Sequence, residues 1–381
     1  MTHRPTWVEI DLSAVSNNLN SIKNKVSDGT TIIAVVKANA YGHGIEKISK
    51  QLAQKKTDMF GVATVEDAVK LRENGIDNPI LILGCVLPDQ IDSVVTHSIT
   101  PTIVNYHIAE KFSTYAQGVR KDSSEADKNI KVHVKVDTGM GGFGIRVEEA
   151  VGTIKKIKDL GNITIDGIFT HFTSPDGRDK GTVDEQLNLF NKVIAELESL
   201  NIHIPVKHTD NSSMVSQSPS PFNAIRPGIA LYGLYSSRHV PKSMDLQQVM
   251  SFKTRVVNIK TLSKGDTISY NRTYKVKKES LIATLPVGYS DGYRRELSNK
   301  GNVLVRGTMA PVVGLIRMDF TYIDVTDIPG VNVGDEVVLF GNQGDKTISI
   351  ESIADNINAI PYEITCGIGK DVPRIYVNES I

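Results

Sequence analysis

The stretch Ala34-Val35-Val36-Lys37-Ala38-Asn39-Ala40-Tyr41-Gly42-His43-Gly44 completes an apolar run that begins at Thr31. The run predicts a buried strand, and it ends in a lysine followed by a glycine-rich turn. A lysine at the carboxyl end of a buried strand is costly unless its amine is neutralised or bonded. Desolvation lowers the pKa of a lysine and prepares its amine for nucleophilic use, for example in a Schiff base with an aldehyde. Lys37 is therefore the first candidate catalytic residue.

Seven more β-branched runs follow, and helical patterns separate them. The eight predicted strands are Thr31–Val36, Met59–Ala63, Ile80–Leu83, Thr100–Val104, Ile130–Val136, Ile163–Phe169, Ile204–His208 and Ala224–Tyr232. The clearest helical patterns are Val65–Glu73, Val147–Asp159 and Val183–Leu200. Eight strand–helix units are typical of a (β/α)8 TIM barrel, for which roughly 250 residues is usual. A doubly wound open sheet is the competing architecture, because periodicity alone cannot close a barrel.

Several polar residues fall at the ends of these predicted strands. They are Lys37, Lys135, His171, His208 and Arg226. A barrel gathers its active site on its carboxyl-terminal face, so this distribution favours the barrel. The polar stretch 117–129 predicts a mobile surface loop.

Beyond a predicted linker at 236–248, helical periodicity nearly vanishes. The predicted strands there are Phe252–Ile259, Thr267–Tyr274, Leu281–Pro286, Val303–Arg306, Pro311–Ile316, Phe320–Val325 and Glu336–Phe340. Regular short strands with glycine turns are typical of an all-β domain, and Thr6–Ile10 can add a strand to it. We therefore expect an α/β chain with a barrel over residues 11–240, followed by a C-terminal all-β domain built from 1–10 and 241–381.

Composition narrows the class of protein. The chain has 43 basic and 43 acidic residues, so no excess charge points to nucleic acid or a membrane surface. Its two cysteines cannot form a disulfide framework, and no cluster has the spacing of a zinc site. There is no apolar signal segment at the start and no apolar run long enough to span a bilayer. We expect a soluble cytoplasmic enzyme without a metal.

With the barrel, the strand-end lysine and a β domain together, the chain resembles alanine racemases, the pyridoxal-phosphate (PLP) enzymes of the barrel fold type. The likeness runs from Pro5 to Tyr376 and rests on separate motifs. These are Val-Val-Lys-Ala-Asn-Ala-Tyr-Gly (35–42), Lys-Val-Asp-Thr-Gly-Met-Gly (135–141), Gly-Ile-Phe-Thr-His-Phe (167–172), Asn-Ser-Ser (211–213), Arg-Pro-Gly-Ile-Ala-Leu-Tyr-Gly (226–233), Gly-Tyr-Ser-Asp-Gly-Tyr (288–293), Met-Asp (318–319), Tyr-Glu (362–363) and Val-Pro-Arg-Ile-Tyr (372–376).

The resemblance implies two bases. Lys37 matches the lysine that holds PLP as a Schiff base and acts as one base. Racemisation needs proton exchange on both faces of a planar carbanion, and Tyr289, supplied by the partner subunit, matches the second base. A tyrosine with a pKa near 10 is a poor base unless its phenolate is stabilised. The resemblance supplies His171 to bond the phenol, with Arg226 behind it.

The resemblance also implies the remaining cofactor contacts. Arg226 lies at the pyridine nitrogen, where a permanent cation disfavours protonation and weakens the electron sink. The residues matching the phosphate donors are Tyr41, Ser212, Tyr362 and the backbone amides of Gly228 and Ile229, and Asn211 is a further cofactor-binding candidate. Asn211-Ser212-Ser213 also has the pattern of a helix N-cap, and a helix amino end favours phosphate.

The chain departs from the family around the substrate carboxylate. Lys135 aligns with a lysine that is often carbamylated and then holds an arginine seven residues on, but this chain has Gly142 there. In the stretch before Met318-Asp319, the usual arginine has moved from 315 to 317. Residues two apart on a strand share a face. Whether Lys135 is carbamylated here is therefore open.

Two interpretations of Arg317 remain. It can reach from the partner subunit and take over part of the missing guanidinium's work near Lys135 and the substrate carboxylate. Alternatively, it pairs with Asp176 or Asp319 and substrate binding is weaker. The Met318 backbone amide is a further candidate carboxylate donor, because its use does not depend on the side chain.

The implied activity is conversion of L-alanine to D-alanine for cell-wall precursors, by a homodimer with shared active sites. A racemase for serine or a broader range of amino acids is the nearest alternative. A non-catalytic PLP carrier needs no β domain bearing Tyr289. A basic-amino-acid decarboxylase needs an acidic partner for the pyridine nitrogen and a reactive cysteine, whereas this chain has Arg226, and we take Cys366 for an ordinary core residue.

Overall fold

A computed structural model describes residues 4–119, 129–176 and 179–379. Strand β1 (Trp7–Asp11) precedes the strands of the first region. These are β2 (Thr31–Val35), β3 (Met59–Val62), β4 (Ile80–Ile82), β5 (Thr102–Ile103), β6 (Ile130–Asp137), β7 (Ile145–Arg146), β8 (Ile163–Phe169), β9 (Val206–Asn211) and β10 (Ala224–Arg226). All except the short β7, which pairs with β6, correspond to the eight predicted barrel strands.

The parallel strands form a barrel. Their order is β4-β3-β2-β10-β9-β8-β6-β5, and every pairing between them is parallel. The two ends of this order are joined by a parallel bridge between Leu81 and Thr100. The Thr100 amide donates to Ile80 O at 2.8 Å, and Thr100 O accepts from the Ile82 amide at 2.9 Å. The sheet therefore closes, which confirms the barrel over the doubly wound sheet.

Helices connect these strands. They are α1 (Leu12–Lys23), the short turn α2 (Lys37–Tyr41), α3 (Ile45–Gln54), α4 (Val65–Glu73), α5 (Ile91–Thr96), α6 (Tyr106–Val119), α7 (Val147–Lys158), α8 (Lys180–Ser199) and α9 (Ser212–Gln217). Their apolar faces pack on the barrel, as the alternating burial along α3 and α7 shows. Residues 117–119 of the predicted surface loop belong to α6, and 120–128 lie outside the described residues.

The predicted strand Ala224–Tyr232 was too long. Strand β10 ends at Arg226 because Pro227 has no N–H to donate to a neighbouring strand, and Ile229–Tyr232 forms a 3-10 helix instead. This change of backbone is what turns the amides after Gly228 away from the sheet ladder.

Strands dominate the C-terminal region. They are β11 (Met250–Arg255), β12 (Asn258–Leu262), β13 (Thr267–Ile268), β14 (Tyr274–Lys275), β15 (Ser280–Leu285), β16 (Asn302–Val305), β17 (Thr308–Pro311), β18 (Thr321–Asp324), β19 (Glu336–Gln343), β20 (Lys346–Ile348) and β21 (Arg374–Val377). The largest sheet has the order β17-β16-β19-β11-β1-β21. The N-terminal strand therefore lies in this sheet, while the domain division at residues 10/11 and 240/241 stays a prediction.

Several sequence predictions in this region were wrong. The predicted strands Phe252–Ile259 and Thr267–Tyr274 are each divided between two strands, β11 with β12 and β13 with β14. Residues 311–316 do not form a strand of their own, since β17 ends at Pro311. The region is also not free of helix, because α10 (Ile350–Asn356) and α11 (Pro361–Cys366) follow β20. Both helices have fewer than two full turns, so their periodicity is too short to register in the sequence. No helix in the described ranges combines the length and apolarity needed to cross a bilayer.

Candidate active site

Lys37 follows β2, so it leaves the barrel wall at the carboxyl-terminal mouth. Val35 and Val36 before it are buried, whereas Lys37 is open to solvent. Desolvation by the surrounding protein lowers the pKa of its amine, and the positive charge of Arg226 acts in the same direction. An amine with a lowered pKa is more often unprotonated, which suits it to bond a carbonyl carbon and to accept a proton.

The turn α2 that begins at Lys37 is left-handed. Residues 38–41, none of them glycine, have φ between 52° and 54°. A non-glycine residue in this conformation costs roughly 1–2 kcal/mol, and hydrogen bonds offset the strain. The Ala40 amide donates to Val36 O at 2.8 Å, and Asn39 Oδ1 accepts from the Ile45 amide at 3.0 Å. The turn is thus held in a fixed shape directly after the candidate base.

His43 also stabilises this turn. Its Nδ1 lies 2.9 Å from Ala40 O and 3.0 Å from Tyr41 O, so Nδ1 carries the proton and donates to these carbonyls. Its ring stacks on Tyr232 with 4.4 Å between centroids. Complete burial lowers the pKa of His43 to about 4, which keeps it neutral near pH 7. His43 therefore has a structural role in holding the turn.

Tyrosines line one side of the mouth. Tyr41 lies 4.9 Å from Tyr232 and 5.7 Å from Tyr362, centroid to centroid, and Tyr362 comes from helix α11. Burial raises the pKa of Tyr41, and it raises the pKa of Tyr362 to about 12. Both phenols are thus neutral hydrogen-bond donors near pH 7. A Cβ at Gly228 would lie 2.4 Å from Tyr41 Oη, so only glycine allows this close approach of backbone and phenol.

Ser212 and Asn211 complete this side. Ser212 Oγ accepts hydrogen bonds from the amides of Gly228 at 2.9 Å and Ala230 at 3.2 Å. The Ile229 amide between them donates to no described residue. Asn211 Oδ1 accepts from the next amides of α9, at 3.0 and 3.2 Å, so Asn211 is the N-cap of that helix. The structure assigns Asn211 this capping role and shows no further contact of its side chain within the described ranges.

Arg226 is buried at the end of β10 and surrounded by acceptors. One terminal nitrogen donates to His208 Nδ1 at 2.6 Å and to His208 O at 2.9 Å. The other donates to Thr170 O and Thr209 O, both at 2.8 Å, and to His171 Nδ1 at 3.2 Å. Its Nε has no acceptor among the described residues. Burial lowers the pKa of Arg226 to about 10, so the guanidinium keeps its charge near pH 7.

These contacts fix the tautomers of two further histidines. Because Nδ1 of His208 accepts from Arg226, its Nε2 carries the proton and donates to His133 Nδ1 at 2.9 Å. The proton of His133 is then on Nε2, a buried atom without a partner in the described part of the chain. Burial, with the charge of Arg226, lowers the pKa of His133 to about 3. The sequence analysis missed His133, because a single histidine inside a strand belongs to no motif.

His171 is the half-buried histidine of the mouth. Its Nδ1 accepts from Arg226, so its proton lies on Nε2. Burial lowers its pKa to about 3, and the positive charges of Arg226, Lys135 and Lys37 contribute. His171 is therefore a neutral donor through Nε2–H. These cations also give the mouth a strong preference for an anionic ligand.

Tyr289 lies on the C-terminal region and begins a 3-10 helix, Tyr289–Asp291. Its side chain is 44% exposed, and its hydroxyl forms no hydrogen bond with a described residue. Its amide donates to Arg317 O, and the Ser290 amide to Met318 O, both at 3.1 Å. A Cβ at Gly288 would lie 2.2 Å from the Arg317 and Met318 oxygens, so glycine permits this contact. The three predicted residues 289, 317 and 318 thus form one exposed unit.

Arg317 is held by phenols. Its guanidinium donates to Tyr322 Oη at 3.0 Å and to Tyr270 Oη at 3.4 Å, and it lies 5.0 Å from the Tyr270 ring centroid. The pairing of Arg317 with Asp176 or Asp319 that the sequence left open stays a prediction. The charge of Arg317 therefore lies beside the Tyr270 and Phe320 rings.

The structure therefore brings the predicted residues together in two groups. The barrel mouth holds Lys37, Tyr41, Lys135, His171, Ser212, Arg226, Gly228, Ile229 and Tyr362. The exposed unit holds Tyr289, Arg317 and Met318. Within the described ranges no hydrogen bond or ring contact joins Tyr289 to Lys37 or His171. No set of three or more His, Cys, Asp or Glu side chains there is arranged to hold a metal ion.

Known proteins share both regions of the chain. The family model of the alanine racemase N-terminal domain matches residues 10–236, and that of the C-terminal domain matches 249–376. An alanine racemase from Halothermothrix orenii is 46% identical over 379 residues, which cover 99% of this chain and 98% of that relative. The similarity thus extends over the complete length of both proteins.

Solved structures agree with the sequence comparison. The alanine racemase of Clostridium difficile 630 superposes with a TM-score of 0.91 at 35% identity, covering 99% of this chain and 97% of that one. The alanine racemase of Bartonella henselae, solved with covalently bound pyridoxal phosphate, has a TM-score of 0.86 at 29% identity, covering 98% and 99%. Barrel and strand-rich region occur together in both.

Proposed function

The chain belongs to the alanine racemase family, and we propose that it interconverts L- and D-alanine with Lys37 and Tyr289 as bases on opposite faces of the substrate. The family membership rests on domain models that match 10–236 and 249–376. The observation that carries the assignment of roles is the barrel mouth itself, where the Lys37 amine, the neutral His171 and the buried Arg226 guanidinium lie together.

The mouth fits the PLP on which this family depends. The phosphate matches the neutral phenols of Tyr41 and Tyr362, the Ser212 hydroxyl and the free Ile229 amide. At Gly228, where a Cβ would collide with Tyr41 Oη, the backbone approaches the phenol closely, and the adjoining Ile229 amide is open to an anion, whereas the Gly228 amide donates to Ser212 Oγ. These donors support PLP as the cofactor, with Lys37 as its anchor.

Arg226 fits the ring nitrogen of that cofactor. Five hydrogen bonds occupy its terminal nitrogens, so Nε–H is the donor still available. PLP supplies an electron sink for the carbanion that forms when the substrate loses its α-proton. A permanent cation at the ring nitrogen disfavours protonation there. The carbanion is then reprotonated quickly, which favours racemisation over transamination.

Lys37 and Tyr289 exchange the α-proton in our proposal. Lys37 accepts or returns it at Nζ, helped by the lowered pKa of its amine. On the other face, the Tyr289 hydroxyl does the same. His171 supports Tyr289, because Nε2–H is free to donate to a phenolate, and Arg226 fixes that tautomer through Nδ1. A phenolate stabilised in this way becomes a usable base near pH 7.

We propose that Tyr289 reaches the barrel mouth of a partner subunit. Its side chain is exposed within one chain and makes no contact with Lys37 among the described residues. The adjoining large apolar side chains, Tyr270 at 61%, Met318 at 54% and Phe320 at 37% exposure, form a surface suited to burial against a second copy. A homodimer with shared active sites follows from this arrangement, and it acts on a small amino acid.

The proposed function is tested by α-proton exchange. Purified protein loaded with PLP is incubated with each alanine enantiomer in D2O, and the product is examined by chiral chromatography and NMR. We expect deuterium at the α-carbon of both enantiomers and an equilibrium near equal amounts. Serine in the same assay measures substrate breadth. A preparation that binds PLP but exchanges no α-proton would match the carrier protein and contradict the proposal.

The decarboxylase alternative is disfavoured by the same site. Arg226 takes the place of the acidic partner that such enzymes need at the ring nitrogen. Cys366 is exposed, unlike the core position expected from the sequence, but desolvation raises the pKa of its thiol and so lowers its reactivity. Release of carbon dioxide when the purified protein is incubated with lysine or ornithine would support this alternative.

We expect Arg317→Ala to raise the KM for alanine about tenfold, as loss of a hydrogen bond to a charged group does. We propose that Arg317 contacts the substrate carboxylate. It lies beside Met318, whose amide donates to no described residue and is the second carboxylate donor we propose. The near-visible absorbance of bound PLP should change little, because Arg317 lies outside the cofactor contacts. Arg306→Ala, which removes a surface arginine near Asp335, is the control. An unchanged KM for Arg317→Ala would discard this role.

A further inference from the structure

Lys135 lies under an aromatic ring in this chain. It sits on β6, two residues before the end of the strand, and its side chain is only 5% exposed. Its Nζ is 3.4 Å from the centroid of the Phe143 ring. The face of a benzene ring is electron-rich and attracts a cation at this distance. Phe143 follows Gly142 in the loop after β6 and remains 37% exposed, so ring and amine lie at the mouth.

No carboxylate neutralises this amine. Among the described residues Lys135 forms no ion pair. The negative charge of Asp137 raises the pKa of Lys135. The Asp137 carboxylate is engaged elsewhere, since it accepts hydrogen bonds from the amides of Gly139 and Gly141 at 3.1 Å and so holds the loop. Arg226 adds further positive charge to the surroundings. The positive charges of Lys135 and Arg226 therefore favour the binding of an anion from outside the chain.

The surroundings favour an ammonium group over a carbamate at Lys135. A carbamate would place negative charge against the electron-rich face of Phe143, where a cation is favoured. The arginine that holds a carbamate in the family also has no counterpart here, since position 142 is glycine, with open space around its Cα in the described structure. Desolvation lowers the pKa of Lys135, and the negative charge of Asp137 opposes that shift.

We propose that Lys135 remains a free ammonium, positioned by the ring of Phe143, and that it binds the substrate carboxylate from within the barrel mouth, in addition to Arg317. The inference rests on the proposed function and specifies how its substrate is held. His171 experiences the charges of Lys135, Lys37 and Arg226 together, so Lys135 lies at the same mouth as the two groups assigned to proton transfer and cofactor binding. Phe143 acts as a positioning residue, since it touches the lysine and not the reacting atoms.

Charge-preserving and charge-removing variants separate the two chemical forms. Lys135→Arg keeps a cation but cannot become a carbamate, because arginine does not lose its proton in proteins. Lys135→Gln loses the charge. We expect Lys135→Gln to raise the KM for alanine about tenfold or more, with a smaller change in kcat. Lys135→Arg should keep a KM at least about fivefold below that of Lys135→Gln.

Lys131→Gln is the matched control. Lys131 lies on the same strand, is exposed and pairs with Asp166 at 3.4 Å, so its loss should leave the KM unchanged. Phe143→Leu removes the aromatic face and should raise the KM about threefold, whereas Phe143→Tyr keeps the face and should restore it. Near-visible absorbance of bound PLP verifies that every variant is folded and loaded.

Two measurements do not depend on turnover. We expect 13C NMR of the PLP-loaded parent enzyme in 13C-labelled bicarbonate to show no carbamate signal from Lys135. Lys135→Arg is the reference, because a signal seen in the parent and absent from this variant would come from Lys135. Propionate has the carboxylate of alanine but no amine. In a calorimetric titration it should bind the parent, and its affinity for Lys135→Gln should be about tenfold lower.

The possible failures are distinguishable. If the parent protein exchanges no α-proton of alanine, the proposed function fails, whatever Lys135 does. If the parent is active but shows a carbamate signal at Lys135, or if Lys135→Arg is as impaired as Lys135→Gln, this inference is overturned and the proposed function stands. Equal propionate affinity in the parent and Lys135→Gln also overturns it.

Discussion

Lys37→Ala is expected to lower kcat for alanine racemisation about 10^4-fold or more, since it removes both the proposed anchor of the cofactor and a proposed proton-transfer group. The strand-end position of Lys37 and the lowered pKa of its amine are the basis of this expectation. The near-visible absorbance of protein-bound PLP should disappear from the purified variant. Lys47→Ala, a nearby surface lysine paired with Glu379, is the control and should match the parent.

The position of the anchor can be verified directly. Borohydride reduction of the parent protein, followed by peptide mapping, should place the PLP mass on the peptide that contains Lys37. A variant without Lys37 that retained activity, or a label on Lys135, would remove the foundation of the proposed function. Folding of Lys37→Ala is assessed by thermal unfolding, which should change little because the side chain is exposed.

Tyr289→Phe is expected to have the second largest effect, a loss in racemisation rate of about 10^2- to 10^4-fold, the usual contribution of one acid–base group. Its hydroxyl is exposed and uncommitted within the described chain, so its removal should not destabilise the fold. The diagnostic result is asymmetric: exchange of the α-proton in D2O should persist for one enantiomer, through Lys37, and be lost for the other. Tyr274→Phe in the same region is the control.

A mixing experiment tests whether two subunits share a site. In the proposed homodimer, Lys37→Ala and Tyr289→Phe should each be nearly inactive alone, but a heterodimer of the two should have one site with both residues intact. Dissociation and random reassociation should restore about one quarter of the parent activity, because half of the dimers are mixed and each has one complete site. Absence of any recovery, with mixed dimers demonstrated, would place both residues in the same subunit's site.

The racemase assignment explains features that have no role in a simple carrier. The left-handed turn after Lys37 is strained and is held by His43 and Asn39. The Arg226–His208–His133 chain surrounds a buried cation with two imidazole rings and backbone carbonyls, and no carboxylate of a described residue pairs with it. Strain and buried charge of this kind are retained where they position functional groups.

Local patterns in the sequence were sufficient for much of the architecture. The alternation of short β-branched runs with amphipathic stretches predicted the barrel strands, because burial on both faces requires such runs. The strand-end position of Lys37 and the capping pattern at Asn211 were also readable, since each depends on neighbours within a few residues. The errors lay where a short segment, such as α10 or α11, has too few turns to show a period.

The sequence by itself determined the eight barrel strands and the strand-end positions of Lys37 and Arg226. Only the tertiary structure decided that Leu81 and Thr100 close the barrel, that Arg226 fixes the tautomers of His171 and His208, and that Phe143 covers Lys135. The physical reason is the range of the interactions. Secondary structure follows from neighbours on the chain, whereas closure, burial and proton positions follow from contacts between residues far apart in sequence.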